Sequence, residues 1–375
     1  MKNSIIIFFL LISFIPSATH AESLSPAEKF QATQPVKVLI VPGHDDEFSG
    51  TMFNNVKEAD LTLQLAEKLA VELHKNPLIA VTVSRNKDGY ISPLVDYFND
   101  NESQIKKFIK TKKKAMDQLI ENGNIEPADQ VPHASAPAKA AYQLYATNKW
   151  IDEQDFDLVI HIHFNDYGSR PATGGEYSGY SIYVPDITLL NHDISFDLGT
   201  SIGKRLHTVL NTSNASTELK KIDKNGVIQD ANLIALGSNR TLSTPSVLIE
   251  YSYIYEPAVL KSMFPTFATA FAHTTAIGLQ DYLSGKQGTQ KPFEYNFKST
   301  LSPSKKQSPE ILMLQYALFN LGYYPPKGKT RDDCPVTGVF GPCTKVAVQK
   351  FQTAHKIKAD GVVGKKSRTI LNKLF

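Results

Sequence analysis

Two histidines and two glutamates stand at the boundaries of apolar segments. His44 closes Val38-Leu39-Ile40-Val41-Pro42-Gly43-His44, His163 closes Leu158-Val159-Ile160-His161-Ile162-His163, Glu250 closes Ser246-Val247-Leu248-Ile249-Glu250, and Glu58 opens a Leu-rich segment. Ionisable groups at the ends of buried strands are costly to desolvate unless a metal or an ion partner compensates them. Two imidazoles and one carboxylate form a donor set suited to zinc with a fourth position open to water, and the remaining carboxylate is then free to move a proton. Taken singly, each residue has an ordinary explanation. A histidine after a strand is usually only hydrogen-bonded, Glu250 could be an ion-pair partner, and Asn55-Val56-Lys57-Glu58 matches a capping box in which the glutamate returns a hydrogen bond to the cap. His161 and His163, two apart on a strand, face the same side, so either could be the second imidazole ligand.

Such groups meet only if the strands that carry them end side by side, as they do at the carboxyl edge of an α/β sheet. Short β-rich runs at 36–41, 79–83, 157–163, 180–184 and 247–251 alternate with helical patterns. Their mostly unbroken apolar character suits strands covered on both faces, so the expected class is α/β, a mostly parallel sheet flanked by helices. Leu61, Leu65, Leu69 and Leu73 recur every four residues and predict a helix over 57–75; further amphipathic patterns cover 197–210 and 258–283. Residues 90–150 interrupt the rhythm with a Lys-rich helical pattern at 103–121 and a loop-like stretch at 123–138 broken by Pro127, Pro132 and Pro137. Lying between two ligand-bearing strands, this insertion is either a gate whose lysines are drawn to Asp45, Asp46 and Glu47 or a solvated decoration.

With 375 residues, 42% hydrophobic and 21% charged, the chain can bury a full core and is not disordered overall. Lys2, an apolar stretch from Ile5 to Ile15, Pro16 and the small-residue exit Thr19-His20-Ala21 read as a signal peptide over 1–21, and export to the periplasm or the cell exterior is expected. Cys334 and Cys343, the only cysteines, fit a short disulfide in an oxidising compartment. The polar, Gly/Pro-punctuated stretch 284–303 reads as a linker between a body at 22–283 and a tail at 304–375. From 301 onward the chain carries 13 Lys and Arg against 4 Asp and Glu, net +9, whereas 22–300 carries 26 against 33, net −7. A basic tail concentrates on a polyanion, and for an exported protein the acidic polymers of a cell wall are a better match than nucleic acid. Three short helices are expected in it, over 310–321, 344–355 and 367–374, the last two each preceded by a Gly-bracketed turn, a weak internal repeat.

Val38-Leu39-Ile40-Val41-Pro42-Gly43-His44, Glu58 before a Leu-rich helix, Ile162-His163-Phe164-Asn165 and Thr244-Pro245-Ser246-Val247-Leu248-Ile249-Glu250 together resemble the zinc-dependent N-acetylmuramoyl-L-alanine amidases over most of 36–283. The tail, with Leu321-Gly322-Tyr323, Gly338-Val339-Phe340-Gly341, Phe351-Gln352 and Asp360-Gly361-Val362-Val363-Gly364, is similar to the small three-helix peptidoglycan-binding domain. The resemblance implies one zinc ion held by His44, Glu58 and His163, Glu250 as the catalytic carboxylate, and cleavage of the amide between the lactyl group of muramic acid and the L-alanine of the stem peptide. It favours His163 over His161 because Asn165 follows as in the family pattern. Asp45 replaces a frequent glycine, His161 a small polar residue, and Ala146-Thr147-Asn148 is the nearest remnant of an Arg and Ala-Asn stretch. Asp45, His161, Asn165 and Arg240 are thus the candidates for supporting or substrate-binding roles. Peptidoglycan is the expected partner, without an integral membrane segment after the leader is removed, and a need for an activator protein is left open by the sequence. Two other readings remain: a zinc amidohydrolase or carboxypeptidase acting on wall peptides, and a catalytically silent wall-binding protein.

Overall fold

The structure is a computed structural model that describes residues 24–125, 137–256, 259, 263–288, 295–330 and 333–375. The expected leader and the Pro127 and Pro132 breaks lie outside these residues. In chain order the described strands are β1 (Val36–Pro42), β2 (Met52–Phe53), β3 (Val56–Lys57), β4 (Ile79–Val83), β5 (Arg85–Asn86), β6 (Gly89–Tyr90), β7 (Leu158–Asn165), β8 (Ser181–Pro185), β9 (Val227–Asp230), β10 (Ser246–Tyr253), β11 (Ser304–Gln307) and β12 (Val339–Phe340). The helices are α1 (Pro26–Gln31), α2 (Glu58–Leu73), α3 (Ser92–Asp100), α4 (Glu102–Glu121), α5 (Ala138–Glu153), α6 (His192–Leu206), α7 (Phe264–Ser284), α8 (Pro309–Asn320), α9 (Pro342–Ala354) and α10 (Lys365–Leu374).

Six strands form the central sheet in the order β4-β1-β7-β10-β8-β9. Every neighbouring pair is parallel except β10–β8. The mostly parallel α/β class therefore holds, and the apolar runs are continuous because helices or loops cover both faces. β9 is short and half polar, so no apolar run announces it.

Alternation along the strands divides the core. Val36, Val38 and Ile40 of β1, and Ile160, Ile162 and Phe164 of β7, join Leu61, Leu65 and Leu69 of α2 and Phe267 and Phe271 of α7 on one face. Leu39 and Val159 pack with Trp150 and Ile151 of α5 and with Leu94 of α3 on the other, while Tyr183 and Leu248 pack there with Leu233, Ala235 and Leu236. Each fully buried leucine of the α2 stripe contributes about 1.5–3 kcal/mol relative to exposure. The same alternation puts His161, His163, Leu248 and Glu250 on the α5 face and Phe164 on the α7 face.

The insertion is ordered where described. α4 packs on α5 and on residues 238–240, and Lys113 of α4 lies over the Tyr145 ring of α5. Glu47 of the acidic loop after β1 is met from α5, where Lys139 Nζ lies 2.5 Å from its Oε2.

In the tail, Cys334 and Cys343 are disulfide-bonded. The internal repeat has a buried glutamine at each unit. Gln315 accepts from Gly338 N at 2.8 Å and donates to Thr344 Oγ1 at 2.9 Å; Gln352 accepts from Gly361 N at 2.9 Å and donates to Ser367 Oγ at 3.1 Å. The described end of the stretch expected as a linker, 295–303, is packed on the tail: Phe297 and Leu301 are buried, and Leu301 bridges to Val363.

Candidate metal centre and active-site cavity

At the carboxyl ends of β1, β7 and β10 a cavity of about 600 Å³ is lined by His44, Asp45, Glu58, His161, His163, Asn165 and Glu250. His44 lies two residues past β1 at φ +62°, a left-handed turn that swings its ring back over the sheet edge. Glu58 is the first residue of α2, preceded by the β2–β3 hairpin, and it is buried. The capping-box alternative fails because Glu58 stands at the first helical position and its side chain turns away from the cap. Its Oε2 lies 3.1 Å from His44 Nε2 and its Oε1 3.1 Å from His163 Nδ1. Ligand atoms of the three residues all lie within 4.8 Å of one another.

The surrounding backbone seats the carboxylate. Thr51 N donates to Oε2 and Phe164 N to Oε1, both at 3.1 Å. Two glycines make room: a Cβ at Gly43 would stand 2.3–2.6 Å from the His163 ring, and one at Gly50 2.4 Å from Glu58 Oε2 and 2.6 Å from His44 Cδ2. Burial alone would raise the Glu58 carboxyl, but the hydrogen bonds from His163 and His44 hold it well below the usual carboxylate range. His44 shows the converse balance, burial lowering it and Glu58 raising it to a net increase. Converging donors with backbone-fixed orientation, one of them an ionised carboxylate, fit a divalent cation with N/O ligation.

Glu250 is buried, and its Oε2 finds no hydrogen-bond partner among the described residues. Burial first, then the charges of Glu58 and Glu218, push its carboxyl well above the ordinary range. A buried carboxyl with an oxygen lacking a partner, in a cavity beside donors that could hold a metal, has the environment that proton transfer needs.

His161, Asn165 and Asp45 are each at the cavity with different tasks. His161 is buried and kept neutral, pushed down to about 3 by burial and by the His163 charge, with Nε2 unpartnered among the described residues. Asn165 Nδ2 donates to Glu218 Oε1 at 3.0 Å. Asp45 Oδ1 accepts from Glu47 N at 2.9 Å and Phe48 N at 2.7 Å, shaping the loop that carries His44. Arg240 is not among the residues that line the cavity; its backbone sits at φ +56°, and its Nε donates to Thr188 O at 3.0 Å.

Two residues at the site went unread in the sequence. Arg85, buried after β4, donates to Pro42 O at 3.2 Å, Gly43 O at 3.1 Å, Ala59 O at 2.8 Å and Thr62 Oγ1 at 3.0 Å, tying the end of β1 to the start of α2. A lone arginine directly after an apolar strand was the available signal. Glu218, buried behind Glu250, accepts from Asn165 and from Tyr183 Oη at 2.7 Å; it comes from a polar turn with no periodicity to mark it.

Residues 38–280 match the family profile of N-acetylmuramoyl-L-alanine amidases, and residues 307–371 match a peptidoglycan binding domain. The chain is 26% identical over 184 residues to the N-acetylmuramoyl-L-alanine amidase CwlL of Bacillus licheniformis, covering 46% of this chain and 47% of that relative. Among solved structures, an N-acetylmuramoyl-L-alanine amidase from Clostridium difficile 630 aligns at 22% identity with a TM-score of 0.42, covering 68% of this chain and 99% of its own. The catalytic domain of CwlV from Bacillus (Paenibacillus) polymyxa aligns at 18% identity with a TM-score of 0.42, covering 67% and 99%.

Proposed function

Because the chain belongs to the N-acetylmuramoyl-L-alanine amidase family, we propose that its cavity hydrolyses the amide between the lactyl group of muramic acid and the L-alanine of the stem peptide, with one zinc ion held by His44, Glu58 and His163. The observation that carries this reading is the convergence of those three donors with Glu250 one strand away. Zinc, when bound, supplies Lewis acidity and brings the pKa of a coordinated water towards about 7. Glu250 takes the proton of the attacking water as the C–N bond is addressed and returns it to the departing L-alanine amine. His44, Glu58 and His163 keep their geometry through the cycle because backbone amides and Arg85 fix the loops that bear them. Asp45 shapes the loop that bears His44, Asn165 holds Glu218 behind Glu250, and neutral His161 lines the cavity beside them.

Peptidoglycan as the polymer held by the tail follows from the binding-domain match and the basic charge of 301–375. We place the protein in the exported, wall-associated compartment on that basis and on the disulfide. Among the described residues no helix is long and apolar enough to cross a membrane.

Purified sacculi incubated with the wild type, with the wild type plus chelator, and with Glu250→Ala test the reading. Intact stem peptides bearing free L-alanine amines, released only by the untreated wild type, are expected. Shortened peptides would mean a wall peptidase instead, and no release at all would leave a binding protein.

A further inference from the structure

A tail that served only as a tethered anchor would carry its own core and touch the body little. α8 is built otherwise: every residue from Ile311 to Leu318 is buried, so the helix has no solvent face over two turns. A helix buried all round needs partners on all sides, and the tail supplies only some of them. The remainder come from the body. Tyr316 of α8 packs edge-on against Phe271 of α7, centroids 5.7 Å apart. The Gly338 turn abuts the residue preceding α7 so closely that a Cβ there would stand 2.4 Å from Met263 Cε. Met263, Phe271, Leu312 and Tyr316 are all essentially inaccessible and share one core cluster with the central sheet.

The contact does not stop at α7. Phe271 packs on Phe267 at 4.0 Å, and Phe267 lies 6.3 Å from Phe164. Phe164 is the β7 residue next to His163, and its backbone N–H seats Glu58 Oε1 at 3.1 Å. His163 faces the cavity on one side of the sheet, and Phe164 faces this aromatic stack on the other. We propose that the peptidoglycan-binding module is a structural part of the catalytic site, Tyr316 closing the stack Phe164–Phe267–Phe271–Tyr316 that backs the strand carrying His163. The module thereby holds the metal ligands in place as well as holding the wall, and its orientation to the cavity is set by a packed interface. The functional half of this inference rests on the amidase reading; the structural half does not.

The test uses the full chain with Tyr316→Ala, Tyr316→Leu and Tyr316→Phe. Three quantities are measured: zinc affinity by competition with a chromophoric chelator, turnover of a small soluble muramyl-peptide that offers no polymer to anchor on, and hydrogen exchange in β7. Loss of one aromatic pair is expected to weaken zinc binding and soluble turnover by about two- to tenfold, in Tyr316→Leu as in Tyr316→Ala, with faster exchange in β7 and with Tyr316→Phe close to wild type. Unchanged zinc affinity and unchanged soluble turnover in Tyr316→Ala would overturn the proposal, since an anchor matters only on the polymer. So would a variant whose tail unfolds while zinc affinity and β7 protection persist. If the wild type binds zinc but does not hydrolyse the soluble fragment, the amidase reading fails alone, and the zinc and exchange comparisons still decide this one.

Discussion

His163 and Glu250 occupy one register position on adjacent parallel strands β7 and β10. Strands in a sheet lie about 4.8 Å apart, so the proposed metal ligand and the proposed proton carrier are held at near-contact spacing by backbone hydrogen bonds rather than by side-chain packing. Each side chain can then be replaced without moving the other.

For Glu250→Gln this separation has a direct consequence. The variant keeps the volume and cannot take a proton, so turnover on sacculi should fall by about 10²–10⁴ while zinc stoichiometry stays at the wild-type value. Zinc content by elemental analysis alongside fragment release checks it; loss of zinc in step with activity would give Glu250 a ligand's role instead.

The pH dependence has a definite sign. The Glu250 carboxyl is raised above its ordinary 4.5 by burial, then by Glu58 and Glu218. Proton abstraction needs the ionised form, so the acidic limb of kcat/KM should lie above the usual carboxylate range. A bound cation offsets Glu58 but not Glu218, and Glu218→Gln should therefore move that limb to lower pH. A raised folded-state pKa also means stability that is fully present below the unfolded value and lost as pH rises through the folded one. A limb that stays put in Glu218→Gln would remove that residue from the electrostatics of the site.

Arg85→Ala should damage both stability and metal binding. It leaves the carbonyls of Pro42, Gly43 and Ala59 without this donor, at a cost of about 1–3 kcal/mol for a buried unsatisfied group, and it unties His44's loop from Glu58's helix. Thermal unfolding and zinc titration together test it; a lowered Tm with intact zinc affinity would reduce Arg85 to a packing role.

Gly50→Ala meets two obstacles at once. Its φ of +71° costs an L side chain about 1–2 kcal/mol, and its Cβ would collide with Glu58 Oε2 and His44 Cδ2. Zinc affinity should drop at least as much as stability does, read by chelator competition. An unaltered affinity would show that this loop yields freely around the ligands.

The helix over α2, the strands β1, β4, β7, β8 and β10, and the four residues His44, Glu58, His163 and Glu250 were legible because hydrophobic periodicity and buried ionisable groups are local signals. Position within the chain separated His163 from its neighbour His161 only through resemblance; in three dimensions the difference is plain, since His163 meets Glu58 and His161 does not appear among the residues whose ligand atoms converge. The roles of Arg85 and Glu218 were not legible because they are defined by partners 23 to 53 positions away, such as Thr62 and Asn165.

What the sequence by itself determined was the class of fold and the basic tail with its paired cysteines, written in residue type and short-range spacing, while the choice of His44, Glu58 and His163 as donors came from the family resemblance. What only the tertiary structure decided was which carboxylate bridges two histidines, which arginine ties their loops together, and that the stretch before the tail and helix α8 pack closely instead of hanging free. Those depend on register between strands and on contacts between faces far apart in the chain, where the burial of one side chain is set by the shape of another.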